Sequence, residues 1–103
     1  MEAAELGVLM FSTCLFGALF YSHASPLEHF ALSRTCRAAL MGFAVATTTF
    51  LIIRSPFGRR TGAHFNPAIT LTYFWLGRTH RWDALGYVAA QFSGGLAGVF
   101  VAR

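Results

Sequence analysis

No lysine occurs in this chain, and its eight basic residues are all arginine. Charged residues make up only 12% of its 103 positions, against roughly 25% in an ordinary soluble domain. A chain so poor in charge cannot cover a water-facing surface, and an apolar share of 55% makes lipid its expected solvent. The net charge of +4 does not mark a nucleic-acid binder, because the arginines are not gathered on one polar face. They punctuate the ends of long apolar runs, as membrane proteins use them. Cysteine is scarce: Cys14 and Cys36 match no metal or redox spacing, and both read as free structural thiols. His23, His29, His64 and His80 are scattered, so neither a metal nor a cofactor is expected. With no nucleophile–base pair or cofactor motif, an enzyme is not expected either. A basic leader is missing too, since Glu2 and Glu5 stand where a secretory signal would carry Lys or Arg. The first apolar run is therefore expected to remain as a membrane span.

What the chain does have is four apolar stretches: Leu6–Ser22, Ala38–Ile53, Thr61–Gly77 and Ala84–Ala102. Crossing a bilayer core takes about 20 mostly apolar helical residues. The first and fourth stretches meet this directly. The second is short, but Arg37 and Arg54 can snorkel at its ends. Expected spans are 6–24, 38–54 and 84–102 within a single unit, 1–103. In the fourth, Gly86, Ala90, Gly94, Gly98 and Ala102 recur every four residues, and Ala38, Gly42 and Ala46 do the same in the second. Such small-residue faces let helices approach closely in lipid.

The third stretch cannot be a plain span, because Gly62, His64, Asn66 and Pro67 follow one another closely. Asn66 suits an N-cap and Pro67 the first helical position. A helix from Pro67 to Gly77 would hold about 11 residues and run roughly 16 Å, about half of a 30 Å core. The segment reads as a re-entrant half-helix over 61–77 that starts near mid-membrane and returns to the side it entered from. Irregular backbone at that depth is tolerated only where it is buried in protein or lines a watery cavity. The expected fold class is an all-α membrane protein: three transmembrane helices plus this half-helix.

The string Gly62-Ala63-His64-Phe65-Asn66-Pro67-Ala68-Ile69-Thr70-Leu71 closely resembles the first pore signature of the major intrinsic protein family, the aquaporins and glycerol facilitators. Gln91, in Tyr87-Val88-Ala89-Ala90-Gln91, is similar to the glutamine of that family's third span. The resemblance covers essentially the whole chain, but only the first of the family's two repeats. It implies an inverted-repeat channel for water or small neutral solutes such as glycerol, set in a plasma or inner membrane. Among membrane lipids it would assemble, once completed by a second half, as the family's homotetramer. It also implies pore roles for Asn66, Pro67, Ala68, Gly62 and Ala63, with His64 at the cytoplasmic vestibule and Met41 at the outer filter. A helix N-terminus carries about half a positive charge and free N–H donors, and the Asn66 amide adds two more donors. A water accepting there turns its hydrogens away, while the positive helix end repels cations and protons.

The chain departs from the family's pattern in three places. The segment Arg54-Ser55-Pro56-Phe57-Gly58-Arg59-Arg60 is longer than the usual loop before the motif. Glu2 and Glu5 compete for the family's single glutamate at the start of the first span. No second Asn-Pro-Ala follows, and no filter arginine with it. The leading expectation is a half-length channel; the alternatives are a truncated non-conducting product and, from a different class, a small multi-span dual-topology exporter. The exporter would need four full spans and an acidic residue in the middle of the first. By the positive-inside rule, Arg54, Arg59, Arg60, Arg78 and Arg81 place their side in the cytoplasm, together with the N-terminus. The His23–Thr35 loop, with Glu28, Arg34 and Arg37, then lies outside.

Overall fold

The computed structural model describes residues 1–30 and 32–103, so one residue of the expected outer loop lies outside the described part. The elements are helices: α1 Glu2–Tyr21, a 3-10 turn at Glu28–Phe30, α2 Arg34–Arg54, α3 Pro56–Thr61, α4 Pro67–Trp75 and α5 Arg81–Val101. Of these α1 has 20 residues and α2 and α5 have 21 each, long and apolar enough to cross a membrane. The molecule measures 51 × 23 × 23 Å, against about 40–45 Å for a bilayer with its headgroups.

All three long helices begin earlier than the charges suggest. Ser33 starts α2 by accepting the Cys36 N–H at 3.2 Å, and His80 stands as the cap of α5. Polar caps set helix starts, and a charged residue just past the cap does not stop one. Helix α1 begins at Glu2 because Glu2 and Glu5 face inward, each only 2% exposed. The long segment before the motif is not a plain loop. Ser55 caps it through the Gly58 N–H at 3.2 Å, Pro56 takes the first position, and Gly62 ends it in the left-handed region at φ 84°.

The centre of the fold is the crossing of α1 and α5. A side chain at Gly94 would run into the Ala3 carbonyl, and one at Gly98 into that of Gly7. A Cβ on Gly7 would come within 2.9 Å of the Gly94 carbonyl. Of the glycines on the expected five-residue face, Gly94 and Gly98 make this close approach. Gly86 meets open space, and so does Gly42 on α2. Near the end of α1, Arg37 ties α2 to α1 by donating from Nη1 to the Phe20 carbonyl at 2.9 Å.

Burial is inverted relative to a soluble protein. Among the described residues the buried hydrophobics are Ile52 and Ala84, while Glu2, Glu5, Ser25, His64, Thr70 and Gln91 are buried polar groups. Large apolar side chains face outward, Trp75 at 81% exposure and Phe43 at 74%. An apolar surface of this extent has water as the wrong solvent. Such a surface suits the lipid of a membrane, while the polar groups are kept inside, where most of them bond to one another.

Candidate functional site

Helix α4 has nine residues, or about 13 Å at 1.5 Å per residue, so it reaches only partway through a membrane. Asn66 Oδ1 accepts the Ala68 N–H at 2.9 Å, and Pro67 sits at the first position, where no donor is wasted. With Oδ1 turned to the helix, the exposed Asn66 amide keeps its NH2 free of partners among the described residues. The helix ends before Gly77 at φ 70°, where the Arg78 N–H reaches back to the Tyr73 carbonyl at 2.9 Å. That is the glycine stop expected from the sequence, placed just past a slightly shorter helix.

The chain from Gly62 to Asn66 is irregular and strained. Ala63 at φ 51° and Phe65 at φ 53° are non-glycine residues in the left-handed region, following Gly62 at φ 84°. Such residues cost of order 1–3 kcal/mol each and persist only where the surroundings over-determine them. Here the Glu2 carboxylate does so. Its Oε1 accepts the His64 backbone N–H at 3.0 Å, and its Oε2 accepts the Phe65 N–H at 3.2 Å and the Gln91 Nε2–H at 2.8 Å. Two consecutive backbone donors are thereby drawn to one side, and a buried charge gains three donors. Among the described residues, the carbonyl oxygens of Gly62, Ala63, His64 and Phe65 accept no hydrogen bond and remain available.

Glu5 does a separate task. The Thr61 hydroxyl donates to its Oε1 at 2.9 Å, fixing the last residue of α3, and Thr61 Oγ1 in turn accepts the Ala63 N–H at 3.1 Å. The Tyr87 hydroxyl donates to the Thr61 carbonyl at 3.3 Å. The loop is thus held at its entry by Glu5 and at its centre by Glu2. The two carboxylates divide the role for which the sequence made them rivals.

The His64 ring, 8% exposed, stacks on Tyr73 at 4.9 Å between centroids and meets Tyr87 edge-on at 5.2 Å. Its Nδ1 lies 3.0 Å from Thr70 Oγ1, which also accepts from Gln91 Nε2 at 3.0 Å. Thr70 and Gln91 are fully buried, at 0% exposure.

Gly62, Ala63, His64, Asn66, Pro67 and Ala68 therefore lie together on the segment leading into α4. Met41 is not brought to them: it is half-buried on α2, which packs on α1 and α3. Thr61, Thr70 and Tyr87 were not singled out by their sequence. Tyr87 stands one helical turn before Gln91, so i,i+4 spacing from that glutamine could have found it.

The Major intrinsic protein family matches residues 3–103. The chain is 38% identical over 74 residues to "Aquaglyceroporin AqpS" of Rhizobium meliloti (strain 1021), covering 71% of this chain and 32% of that protein. It is 37% identical over 73 residues to "Aquaglyceroporin" of Toxoplasma gondii (strain ATCC 50611 / Me49), covering 70% of this chain and 27% of that one. The aligned part is thus about a third or less of either relative's length. No solved structure matches. A match along nearly the whole chain, on three long apolar helices and a capped half-helix, makes this chain a member of the major intrinsic protein family.

Proposed function

We propose that this chain forms one half of a transmembrane channel for water or small neutral solutes such as glycerol, completed by a second repeat. The observation that carries the reading is the exposed N-terminal end of α4. Among the described residues Asn66 leaves its NH2 free there, beside a segment whose carbonyls accept no hydrogen bond. That supplies donors and acceptors along one wall of a polar path, with a positive helix end to repel cations. Gly62, Ala63, His64, Pro67 and Ala68 belong to the same wall, and Met41 to the outer filter. The second repeat would enter from the opposite side about a two-fold axis in the membrane plane, and the whole would assemble as the family's tetramer.

Stopped-flow light scattering on liposomes tests this. The 103-residue chain alone should raise water permeability little above empty liposomes. Co-reconstitution with a second repeat should raise it clearly, and Asn66→Ala should then cut it while weakening the cap by about 1 kcal/mol. Equal permeability with and without Asn66 would remove the pore role. A clear rise with the chain alone would instead favour a working homo-oligomer, against the reading that it conducts little by itself.

Orientation belongs to the same proposal, with the N-terminus and the motif side in the cytoplasm of a plasma or inner membrane. Cys36 is an exposed native thiol near the start of α2. It should react with an impermeant maleimide added outside, while a cysteine at Arg59 in a chain lacking Cys36 should not. The reverse pattern would invert the topology.

A further inference from the structure

The buried hydrogen bonds fix where the protons lie. Glu2 Oε2 already accepts the Phe65 N–H, so the Gln91 atom 2.8 Å from it is the amide nitrogen, a donor. Turning the amide over would set two acceptor oxygens against each other in a buried site. The same Gln91 nitrogen then spends its other hydrogen on Thr70 Oγ1 at 3.0 Å. Thr70 must direct its own hydroxyl hydrogen elsewhere. Thr13, Thr47, Thr48, Thr49 and Thr72 each donate to the carbonyl four residues back. Among the described residues Thr70 makes no such bond, and His64 Nδ1 at 3.0 Å is the acceptor left to it. An Nδ1 that accepts carries no hydrogen, so the hydrogen of the neutral ring sits on Nε2.

We propose that Gln91 and Thr70 are positioning residues that lock His64 in its Nε2–H tautomer, each passing on a direction of donation that begins at the Glu2 carboxylate. Tyr73 and Tyr87 hold the ring from its face and edge. Nε2 lies beside Gly62, where even an added Cβ would come within 3.6 Å, and has no protein partner among the described residues. The ring therefore presents a fixed donor. Its use, bonding the oxygen of a passing water or hydroxyl, rests on the channel reading above.

Solid-state 15N NMR of the 15N-histidine-labelled chain in liposomes reads the tautomer directly, because a protonated ring nitrogen and a bare one resonate far apart. The His64 signals are those lost in His64→Gln. Wild type should show Nε2 protonated and Nδ1 bare. Thr70→Val, which keeps the shape and drops the hydroxyl, should shift a substantial fraction of the ring to Nδ1–H, and Thr70→Ser should return it to Nε2–H. Gln91→Met should loosen the preference, since the Thr70 hydroxyl is then free to turn its hydrogen away and face Nδ1 with a lone pair. A wild-type spectrum with Nδ1 protonated overturns the lock even if every variant fails to insert. So does a Thr70→Val spectrum unchanged from wild type. Permeability of the completed channel with His64→Gln decides the separate matter: no change there would remove His64 from the pore and leave the lock standing.

Discussion

Replacing Glu2 by Leu is expected to release the segment from Gly62 to Asn66 altogether. Three donors converge on this carboxylate, and hydrogen bonds to a charged group are worth about 1.5–3 kcal/mol each. Two of those donors are backbone N–H groups that would be left unpaired in a low-dielectric interior, where the cost rises further. The strained backbone at Ala63 and Phe65 would lose the group that holds it. A local loss of at least about 4 kcal/mol corresponds to roughly a thousandfold larger open population, at 1.4 kcal/mol per factor of ten. Hydrogen exchange measured on the 62–66 segment should rise by that order in Glu2→Leu. Glu5→Leu removes a single partner, the Thr61 hydroxyl, and should have a markedly smaller effect there. Similar exchange in both variants would show that Glu2 does not anchor the segment.

Gly94→Leu should be comparably damaging, through backbone geometry. The new side chain would run into the Ala3 carbonyl, so α1 and α5 must separate. Overpacking alone costs about 1–3 kcal/mol. The larger consequence is that Glu2 adjoins Ala3 and Gln91 lies one turn from Gly94, so parting the helices also pulls apart the 2.8 Å bond between these two side chains. Gly86→Leu is the matched control, since its side chain meets open space and should shift stability by no more than about 0.5 kcal/mol. Thermal unfolding in detergent compares the two. A Gly94 variant as stable as the Gly86 variant would refute the close crossing.

Much of this organisation is legible in the sequence because it rests on local rules. Apolar runs between arginines mark the long helices, and Asn66-Pro67 marks the start of the half-helix by cap and first-position chemistry alone. The inside of the molecule is less legible. Which of Glu2 and Glu5 would meet the loop depends on how α1 is rotated against α5, and that rotation is set by contacts at Gly7, Gly94 and Gly98. Periodicity shows Gly86 and Gly98 as equals on one face, yet only Gly98 lies where the helices cross. Thr61 and Thr70 look like ordinary helical threonines until the fold brings Glu5 and His64 to them. Short α3 was hidden because Gly58 and two arginines read as loop, whereas Ser55 and Pro56 supply a start.

The distances along the chain between the partners of Glu2 have a consequence for how the protein is made. Glu2 lies 62 residues from the loop amide it holds and 89 from Gln91. At a synthesis rate of about 5–20 residues per second, the carboxylate waits roughly 3–12 s for the loop and 4–18 s for Gln91. Through that interval the acidic side chain must be sheltered from acyl chains by something other than its final partners. The insertion machinery is the shelter at hand, so α1 should linger beside it until α5 emerges. Nascent chains arrested before Gln91 should crosslink to the translocon through α1, and chains extended well past Arg103 should have let go.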